Sequence, residues 1–460
     1  MRWPQGHSTR LRFLGTGAVC SLIAVTFLIL STRYSAEVAK YALKAPVKQS
    51  PLSSPPACRN DSSWEFQVEK DGNDHGLSEE QCRAAFPKLF VELDKSASFR
   101  ENNPIQFKDV DSLTVENGMV RGIIDHGEVG FFLRIRAAGS HILTFCILRQ
   151  LYIVDFGNMP ATFTRGKATL NSLQRALASF PDRDRLPNVE FVLTTEDYSD
   201  GEGPIWSYSK RDENTNVWLM PDFGYWSWPE VGVGPYKDAR RRIAAIDDGE
   251  VTVDGQVIPG MQFQDKKKQL VWRGNVATNP QVRGKLLKAA QGRSWASILA
   301  IDWGDENDIR FNLLPIEEHC RYMFLAHTEG RSFSGRGKYL LNCRSVVISH
   351  KLVWREAHHA ALISSGPEAN YVEVERDFSD LDHKIEFLID NPEAAERIAN
   401  NSVKTFRDRY LTPAAESCYW RHLIRQYASS SEFEPVLYTT REDGKREPRG
   451  TPFETWVLSS

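Results

Sequence analysis

The stretch QLVWRGNVATNPQVRGKLLKAA, residues 269–290, indicates the fold class of the chain. A short apolar run ends at Arg273-Gly274, a polar loop follows, and an amphipathic run extends from Gln281 to Ala290. A strand that passes through a glycine-containing loop into a helix is the repeating unit of parallel α/β sheets, which hold ligands at the carboxyl ends of their strands. The stretch therefore predicts an α/β fold with a binding loop at Arg273-Gly274.

The same alternation extends along most of the chain. Helices are predicted at 78–93, 169–180 and 237–246, strands at 189–193, 217–220, 298–301, 323–326 and 345–348, a β-meander between 113 and 153, and three further helices between 381 and 428. Alternating strands and helices favour two Rossmann-like units with a cleft between them.

Composition narrows the class of protein. The chain has 460 residues, 41% of them hydrophobic and 11% aromatic, which is enough for packed cores in two or three domains. The formal net charge is -3, so the chain lacks the overall positive field that duplex nucleic acid attracts. We therefore expect no nucleic-acid partner.

An uncharged apolar run, Phe13 to Leu30, lies near the N-terminus and is long enough to cross a bilayer of about 30 Å. Arginines precede it, which favours a cytosolic tail at residues 1–12 and a transmembrane signal-anchor at 13–31. A cleaved signal peptide is the alternative, but its apolar core usually spans only about 7 to 15 residues. The run predicts a single-pass type II membrane protein.

A Pro/Ser-rich segment, which we interpret as an extended stem at 32–76, follows the apolar run. It would hold a luminal head away from the membrane of a secretory compartment, and we expect the Golgi. Asn60 and Asn400 stand in N-x-[ST] sequences and are candidate glycosylation sites. Cysteines occur at Cys20, Cys58, Cys82, Cys146, Cys320, Cys343 and Cys418, without the spacing of a zinc site. Their disulfide connectivity stays open at this point.

Asp197 is the candidate general base. It follows the predicted strand at 189–193 and begins a glycine-containing loop, where α/β folds place reactive groups, and a carboxylate there can take a proton from a hydroxyl. The alternative is a plain acidic loop together with Glu196 and Asp200. Asp222, after the strand at 217–220, is a weaker candidate of the same kind.

A candidate anion site is the stretch EGRSFSGRGKYLLN, residues 329–342, in which glycines alternate with Arg331, Arg336 and Lys338. Its spacing does not match a P-loop. Together with Arg273 and Arg283 it offers several guanidiniums that can bind a diphosphate without a metal. The sequence has no D-x-D motif between apolar strands, so we expect metal-independent chemistry and no cofactor.

Aromatic side chains are dense between Trp206 and Trp228, which favours a carbohydrate cleft, because sugar C–H faces stack on aromatic rings. We assign Tyr198, Trp226 and Trp228 to a platform for the acceptor or sugar. Glu356 is a candidate to accept hydrogen bonds from ribose hydroxyls.

Four segments carry a family resemblance: VWRGN, SFSGRGKYLLNCRSVVISHKLVW, SSGPEANYVEVERDFSDL and CYWRHLIRQY. In order and spacing they resemble the capsule-associated-protein and Rumi-like glycosyltransferases, family 90, and their details resemble a fungal-type member. The resemblance covers about residues 185–430.

The resemblance implies a GT-B-like fold, with two Rossmann-like domains and C-terminal helices that pack back on the first domain. The expected divisions are an acceptor-side N-terminal domain with a β-rich elaboration at 77–265, a UDP-sugar-binding domain at 266–400, C-terminal helices at 401–430 and a flexible tail at 431–460. It also implies disulfides between Cys320 and Cys343, and between Cys418 and either Cys82 or Cys58.

The implied activity is inverting, metal-independent transfer of glucose or xylose from a UDP-sugar to a hydroxyl of a glycan or glycoprotein. Asp197 matches the family's catalytic aspartate, although Glu196 replaces the preceding basic residue. The matched UDP-sugar-binding positions are Arg273, Gly274, Arg283, Arg331, Ser332, Phe333, Ser334, Gly335 and Arg336, to which we add Glu356. Gly335 departs from the aromatic residue of the Rumi-like branch. Alternatives are O-glucosylation of folded cysteine-rich domains and an inactive carbohydrate-binding homologue.

Overall fold

The computed structural model describes residues 64–125, 133–137, 140–144, 150–157, 160–199, 201, 203–249, 251–253, 256–258 and 260–459. The predicted cytosolic tail, membrane anchor and glycosylation site at Asn60 lie outside these residues, as do Cys20, Cys58 and Cys146. Among the described helices, none combines the length and the apolar character needed to span a membrane.

Two sheets carry the fold. Their strands, numbered in chain order, are β1 Met119–Asp125, β2 Gln150–Phe156, β3 Val189–Thr194, β4 Trp206–Ser207, β5 Trp218–Leu219, β6 Lys267–Gly274, β7 Ala296–Ala300, β8 Tyr322–His327, β9 Val346–His350, β10 Val372–Val374 and β11 Thr451–Pro452. Two-stranded ladders pair Leu133–Ala137 with Ser140–Thr144, Lys210–Arg211 with Trp354–Arg355, Ser227–Trp228 with Gly234–Pro235, Val251–Val253 with Gln256–Ile258, and Tyr438–Thr440 with Arg446–Pro448.

Helices surround both sheets. The longer ones are Glu79–Ala85, Val91–Arg100, Pro160–Ala178, Tyr236–Asp248, Pro280–Ala290, Glu306–Asn312, Leu381–Asp390, Pro392–Ser402, Pro413–Ser429 and Phe453–Ser459. Short helices lie at Val68–Asp71, Phe107–Asp111 and Gly337–Leu340, and π-helical turns at Val403–Tyr410 extend the helix before them.

The first sheet has the order β11-β2-β1-β3-β4-β5. Strand β1 pairs antiparallel with β2 and β3, whereas β3, β4 and β5 are parallel. The prediction of a Rossmann-like parallel sheet is therefore wrong for this half of the chain. The physical reason is that the β-rich segment, expected as an elaboration at the edge, supplies the central strand β1.

The second sheet has the order β7-β6-β8-β9-β10 and all its strands are parallel, as the sequence predicts. The chain leaves β6 toward β7 on one side and returns to β8 on the other, so the strand order reverses between β6 and β8. Ligands of open parallel sheets bind at the carboxyl ends of the strands beside such a reversal. The candidate site is therefore expected at the carboxyl ends of β6 and β8.

The helix Pro280–Ala290 forms where the sequence predicts it, for identifiable local reasons. The Asn279 side chain accepts a hydrogen bond from the Val282 backbone N–H at 3.2 Å, and Pro280 occupies the first helical turn. Val282, Leu286 and Ala290 recur at helical spacing and are buried against the second sheet.

The long helix Pro413–Ser429 packs against the helix Pro160–Ala178 beside the first sheet. Trp420 donates from Nε1 to Ser172 Oγ at 2.8 Å, and Arg175 forms an ion pair with the buried Glu416. The described residues from 64 onward form one compact unit, within which this long helix also contacts β3 of the first sheet. The predicted boundaries at 265/266 and 400/401 remain predictions.

Two predicted segments near the start of the head need correction. The predicted helix at 78–93 is two helices, because Pro87 lacks an N–H and cannot continue the helix that ends at Ala85. The predicted stem at 32–76 is too long, because its last residues are held by the helix Pro413–Ser429: Ala414 N donates to Gly72 O at 3.1 Å, and His75 Nδ1 lies 2.8 Å from Ser417 Oγ.

The predicted flexible tail at 431–460 is also wrong for its described residues. Strand β11 pairs with β2 and extends the first sheet, and Phe453 is buried. Arg449 donates to both carboxylate oxygens of Glu190 at 2.7 and 2.9 Å. Glu190 is buried within β3 and already pairs with Arg121 of β1 at 2.7 Å, so the tail adds a second cation to a buried carboxylate of the sheet.

Two disulfides join distant parts of the described chain. Cys320 pairs with Cys343, and Cys418 pairs with Cys82, the first of the two partners that the resemblance left open. The Cys82–Cys418 bond closes a sequence separation of 336 residues, whereas the other closes 23. Both cysteine pairs are buried.

Replacing both Cys82 and Cys418 with alanine should lower the free energy of unfolding by about 2–5 kcal/mol, because the unfolded chain regains the entropy of a long loop. The midpoint of urea unfolding, followed by tryptophan fluorescence, measures the loss. The matched control replaces Cys320 and Cys343, whose shorter loop predicts a smaller loss. An equal or larger loss from that control would contradict the loop-entropy explanation.

Candidate functional site

A cavity of about 490 Å³ lies at the carboxyl ends of β6 and β8. We call it the central cavity. Its lining includes most of the residues predicted to form the site, namely Asp197, Trp228, Arg273, Gly274, Arg283, Arg331, Phe333, Ser334, Gly335 and Arg336. The carboxylate proposed as a base and the guanidinium proposed to hold a diphosphate therefore share one cavity, although they stand far apart in the sequence.

Arg336 contributes a positive charge to the central cavity that no acidic residue of the described chain balances. It is partly buried, and within the described part of the chain its guanidinium has neither a hydrogen-bond acceptor nor an acidic partner. Burial, followed by the charges of Arg283 and Arg273, lowers the pKa of Arg336 to about 9. Burial and the neighbouring positive charges make the charged guanidinium unfavourable in free energy, and a bound anion would remove this penalty.

Arg283 and Arg273 are fixed by the loops around them. Arg283 donates from Nε to Glu329 O at 3.1 Å and from Nη1 to Asn275 O at 2.6 Å, while burial lowers its pKa to about 10. Arg273 donates from Nη1 to Trp272 O at 2.9 Å, and burial also lowers its pKa. These bonds prearrange two further positive charges at the cavity wall.

The loop that carries Arg331 and Arg336 is anchored at its start. Glu329 Oε1 accepts hydrogen bonds from the backbone N–H groups of Val353 and Trp354 at 2.7 and 2.8 Å, and Arg376 Nη1 donates to Glu329 Oε2 at 2.7 Å. Glu329 is buried, and both of its carboxylate oxygens have hydrogen-bond partners, so it holds the loop in place.

Gly274 leaves space for the Arg336 guanidinium because it has no side chain. A Cβ on Gly274 would come within 2.8 Å of the Trp272 ring and 3.2 Å of Arg336 Nη2. Beside it, a Cβ on Gly335 would lie 3.4 Å from the Trp228 ring. Trp228 therefore covers the face of Gly335 and supplies an aromatic surface from another element.

Asp197 projects into the central cavity from the loop after β3. Arg165 Nη1 donates to its Oδ1 at 3.0 Å, and its backbone carbonyl accepts from Ser209 Oγ at 2.9 Å and from Ser332 Oγ. Its side chain is 39% exposed, and Oδ2 has no hydrogen-bond partner among the described residues. One carboxylate oxygen is thus oriented by an arginine, while the other is available to a ligand.

The far end of the central cavity is apolar and contains a histidine that the sequence did not point to as a ligand contact. Trp303, Ile309 and Leu314 contribute to this wall, together with His319. His319 Nδ1 donates to Pro315 O at 3.0 Å, since a carbonyl can only accept, so Nε2 is left as an acceptor. Nε2 is buried without a hydrogen-bond partner among the described residues, and burial lowers the pKa of His319 to about 3, so the ring is neutral.

Other residues predicted for the site lie apart from the central cavity lining. Ser332 is buried and only ties the loop to Asp197. Trp226 packs under the Arg175 guanidinium at 5.0 Å, and Tyr198 lines a neighbouring groove. Glu356 is buried with its Oε2 3.1 Å from His359 Nε2 and does not line the central cavity, so its predicted contact with ribose is corrected. The turn after the ladder strand Trp354–Arg355 directs it inward.

Lys338 of the predicted anion site and Asp222, the weaker candidate base, pair with each other. Lys338 donates to Asp222 Oδ1 and Oδ2 at 2.7 and 2.9 Å, and both residues are buried. Asp222 also accepts from the Gly224 backbone N–H at 2.7 Å. Lys338 is therefore not aimed at a ligand, and Asp222 is not a free base.

The structure also groups residues that could hold a metal ion. Glu356, His358 and His359 are buried and place one ligand atom each within 4.8 Å of one another. The group does not contribute to the lining of the central cavity. The expectation that the chemistry needs no metal stays a prediction.

Comparisons with known proteins identify a family for the sequence. The sequence model of glycosyl transferase family 90 matches residues 136–445. The chain is 24% identical over 277 residues to an O-glucosyltransferase rumi homolog of Aedes aegypti, a match that covers 55% of this chain and 64% of the relative. It is 25% identical over 270 residues to O-glucosyltransferase rumi of Drosophila melanogaster, covering 54% and 62%.

A mammalian relative matches to the same degree. Protein O-glucosyltransferase 1 of Rattus norvegicus is 25% identical over 278 residues, covering 56% of this chain and 66% of the relative. The chain thus spans less than two thirds of the length of the curated relatives it matches. Because the family model covers more than half of the sequence, the chain belongs to glycosyl transferase family 90.

Proposed function

We propose that the chain is a glycosyltransferase that moves glucose or xylose from a UDP-sugar to a hydroxyl of a glycan or glycoprotein. The observation that carries the proposal is the shared cavity of Asp197 and Arg336. An unpaired arginine beside two fixed arginines fits a nucleotide diphosphate, and an available carboxylate oxygen fits a general base.

The proposed reaction is a single displacement. Asp197 takes the proton of the acceptor hydroxyl as its oxygen attacks the anomeric carbon, and the bond between that carbon and the β-phosphate oxygen breaks. The electron pair leaves on UDP, whose growing charge Arg283 and Arg336 stabilise. Attack from the face opposite the leaving group inverts the anomeric centre. The arginines supply the positive charge, so the proposal includes no metal.

The proposed architecture is GT-B-like in having two lobes around a cleft: an acceptor-side domain at 77–265, built on the mixed first sheet, and a UDP-sugar-binding domain at 266–400, built on the parallel second sheet. Its support is that the arginines follow strands of the second sheet, while Asp197 follows β3 of the first. The apolar wall with Trp303 and the acceptor nitrogen of His319 fit a nucleotide base, which offers an aromatic face and an N–H donor.

One alternative activity has specific support. The relatives are O-glucosyltransferases by name, one of them a protein O-glucosyltransferase, which favours protein O-glucosylation as the alternative. The acceptor in this alternative is a folded cysteine-rich domain. Both activities use the same donor chemistry and differ in the acceptor. A type II membrane anchor, a luminal head, a Golgi location and glycosylation at Asn400, which is exposed on its helix, stay part of the proposal.

The test is donor hydrolysis and transfer by the purified full-length chain. UDP-glucose, UDP-xylose and other UDP-sugars are incubated with and without EDTA, and released UDP is measured. We expect UDP release from glucose or xylose donors at rates that EDTA leaves unchanged. Release from none of the donors would favour an inactive carbohydrate-binding homologue, and loss of release with EDTA would refute the metal-independent mechanism.

A further inference from the structure

A second groove of about 490 Å³ opens beside the central cavity. We call it the lateral groove. Its lining includes Tyr198, Ser199, Arg211, Glu213, Arg331 and Trp354. Arg331 lines both the groove and the central cavity, and Tyr198 directly follows Asp197 in the chain. A molecule in the lateral groove would therefore reach the candidate base.

The groove presents one open aromatic surface on a rigid support. Tyr198 is 43% exposed, and its ring lies 5.5 Å from the ring of Trp354. Trp354 is buried beneath it, covered by the Arg211 guanidinium at 4.8 Å. The strand of Trp354 pairs with that of Arg211, and the Trp354 backbone N–H is held by Glu329. Sugar rings stack on tyrosine faces supported in this way.

The charges of the groove favour an anion. Arg331 is exposed and, within the described residues, forms neither an ion pair nor a hydrogen bond. The opposing charge is Glu213, which lies 3.7 Å from Arg211 with side chains 68% and 48% exposed. Glu213 balances the charge of Arg211, although an exposed ion pair of this kind adds little to stability. Arg331 is therefore the unbalanced charge of the groove.

We propose that the lateral groove binds an acidic sugar residue, a hexuronic acid, of a saccharide acceptor. Its ring lies against Tyr198, its carboxylate pairs with Arg331, and a hydroxyl of the acceptor reaches Asp197. The proposal rests on the proposed function, which it deepens by naming the acceptor class. It also moves Arg331 from the donor site, where the sequence places it, to the acceptor site.

A saccharide fits the groove better than a folded protein domain. Stable protein complexes bury about 1,200–2,000 Å² and centre on apolar or aromatic anchors, whereas this groove offers one exposed tyrosine bordered by charges. One aromatic face together with one unbalanced guanidinium matches the two recognisable groups of a uronic acid residue, namely its ring and its carboxylate. The test below distinguishes a saccharide acceptor from a folded protein domain.

The test compares two probes that differ only at C6: methyl β-D-glucopyranoside and methyl β-D-glucopyranosiduronic acid. Their binding to the full-length, UDP-saturated chain is measured by calorimetry or NMR. We expect the uronide to bind about tenfold more tightly, the effect of one charge-assisted hydrogen bond. Arg331→Gln should remove the difference between the two probes. The matched control is Arg397→Gln, an exposed arginine outside both cavities, which should leave that difference unchanged.

Several results would overturn the assignment. Equal binding of the two probes to the wild-type chain would do so, as would a preference that persists in Arg331→Gln. Tighter binding of a 6-sulfated glucoside than of the uronide would assign the groove to a sulfate ester instead. Wild-type rates of transfer to a folded cysteine-rich domain by Arg331→Gln would favour the protein acceptor. Because binding is measured without turnover, absent UDP-sugar hydrolysis with intact uronide preference would refute only the proposed function.

Discussion

Asp197→Asn should abolish sugar transfer while leaving the dissociation constant for UDP within about twofold of the wild-type value. The amide keeps the shape of the side chain and can still accept the hydrogen bond from Arg165, but it cannot take a proton from the acceptor. Loss of a general base typically lowers the rate by about 10² to 10⁴. Steady-state transfer and calorimetric titration with UDP, on the same preparation of the full-length chain, give both quantities.

The matched control for Asp197→Asn is Asp390→Asn, which changes an exposed aspartate at the end of the helix Leu381–Asp390. It should leave both transfer and UDP binding unchanged. If Asp197→Asn weakened UDP binding as much as transfer, the carboxylate would be part of the donor site. Transfer at the wild-type rate would remove Asp197 from the mechanism.

Most of the second sheet and its ligand loops could be predicted from the sequence. The unit of β6 and the helix Pro280–Ala290 is defined by local signals, namely an apolar run, glycine, Asn279 as the N-cap and Pro280. Because parallel strands bring their carboxyl ends to one edge, the arginines after β6 and after β8 were expected to meet. The central cavity contains both sets.

The partners of these residues could not be predicted in the same way, because they come from distant segments. Arg165, which orients Asp197, lies in a helix with no sequence pattern that links it to the base. His319 and Trp303 line the cavity through loops whose course depends on tertiary packing. The position of Glu356 was missed because a short ladder turns its side chain toward His359.

The first sheet shows the same limit at the level of topology. Strand β1 was correctly expected as part of a β-rich segment, but hydrophobic alternation does not say which strands pair. The antiparallel pairs of β1, and the return of β11 to the sheet edge, depend on contacts such as that between Arg449 and Glu190. A polar tail after the last long helix is therefore not sufficient reason to predict a loose segment.

Arg336→Ala should raise the dissociation constant for UDP about 10- to 100-fold, which corresponds to about 1.5–3 kcal/mol for a hydrogen-bonded charge. The sugar-transfer rate should fall by about 10² to 10³, because the leaving diphosphate loses a charge that stabilises it. Arg336→Lys should recover only part of the loss, since an ammonium keeps the charge but lacks the planar pair of donors.

The same variant makes a second, opposite prediction for the ligand-free chain. Arg336 stands beside Arg273 and Arg283, and no described residue provides it with an acidic partner, so its removal relieves repulsion and breaks no ion pair. The thermal unfolding midpoint of Arg336→Ala without UDP should therefore equal or exceed that of the wild type. Stabilisation by added UDP should shrink, because it follows the ratio of ligand concentration to dissociation constant. A lower midpoint without ligand, or unchanged stabilisation by UDP, would show that the guanidinium supports the fold and does not bind the nucleotide.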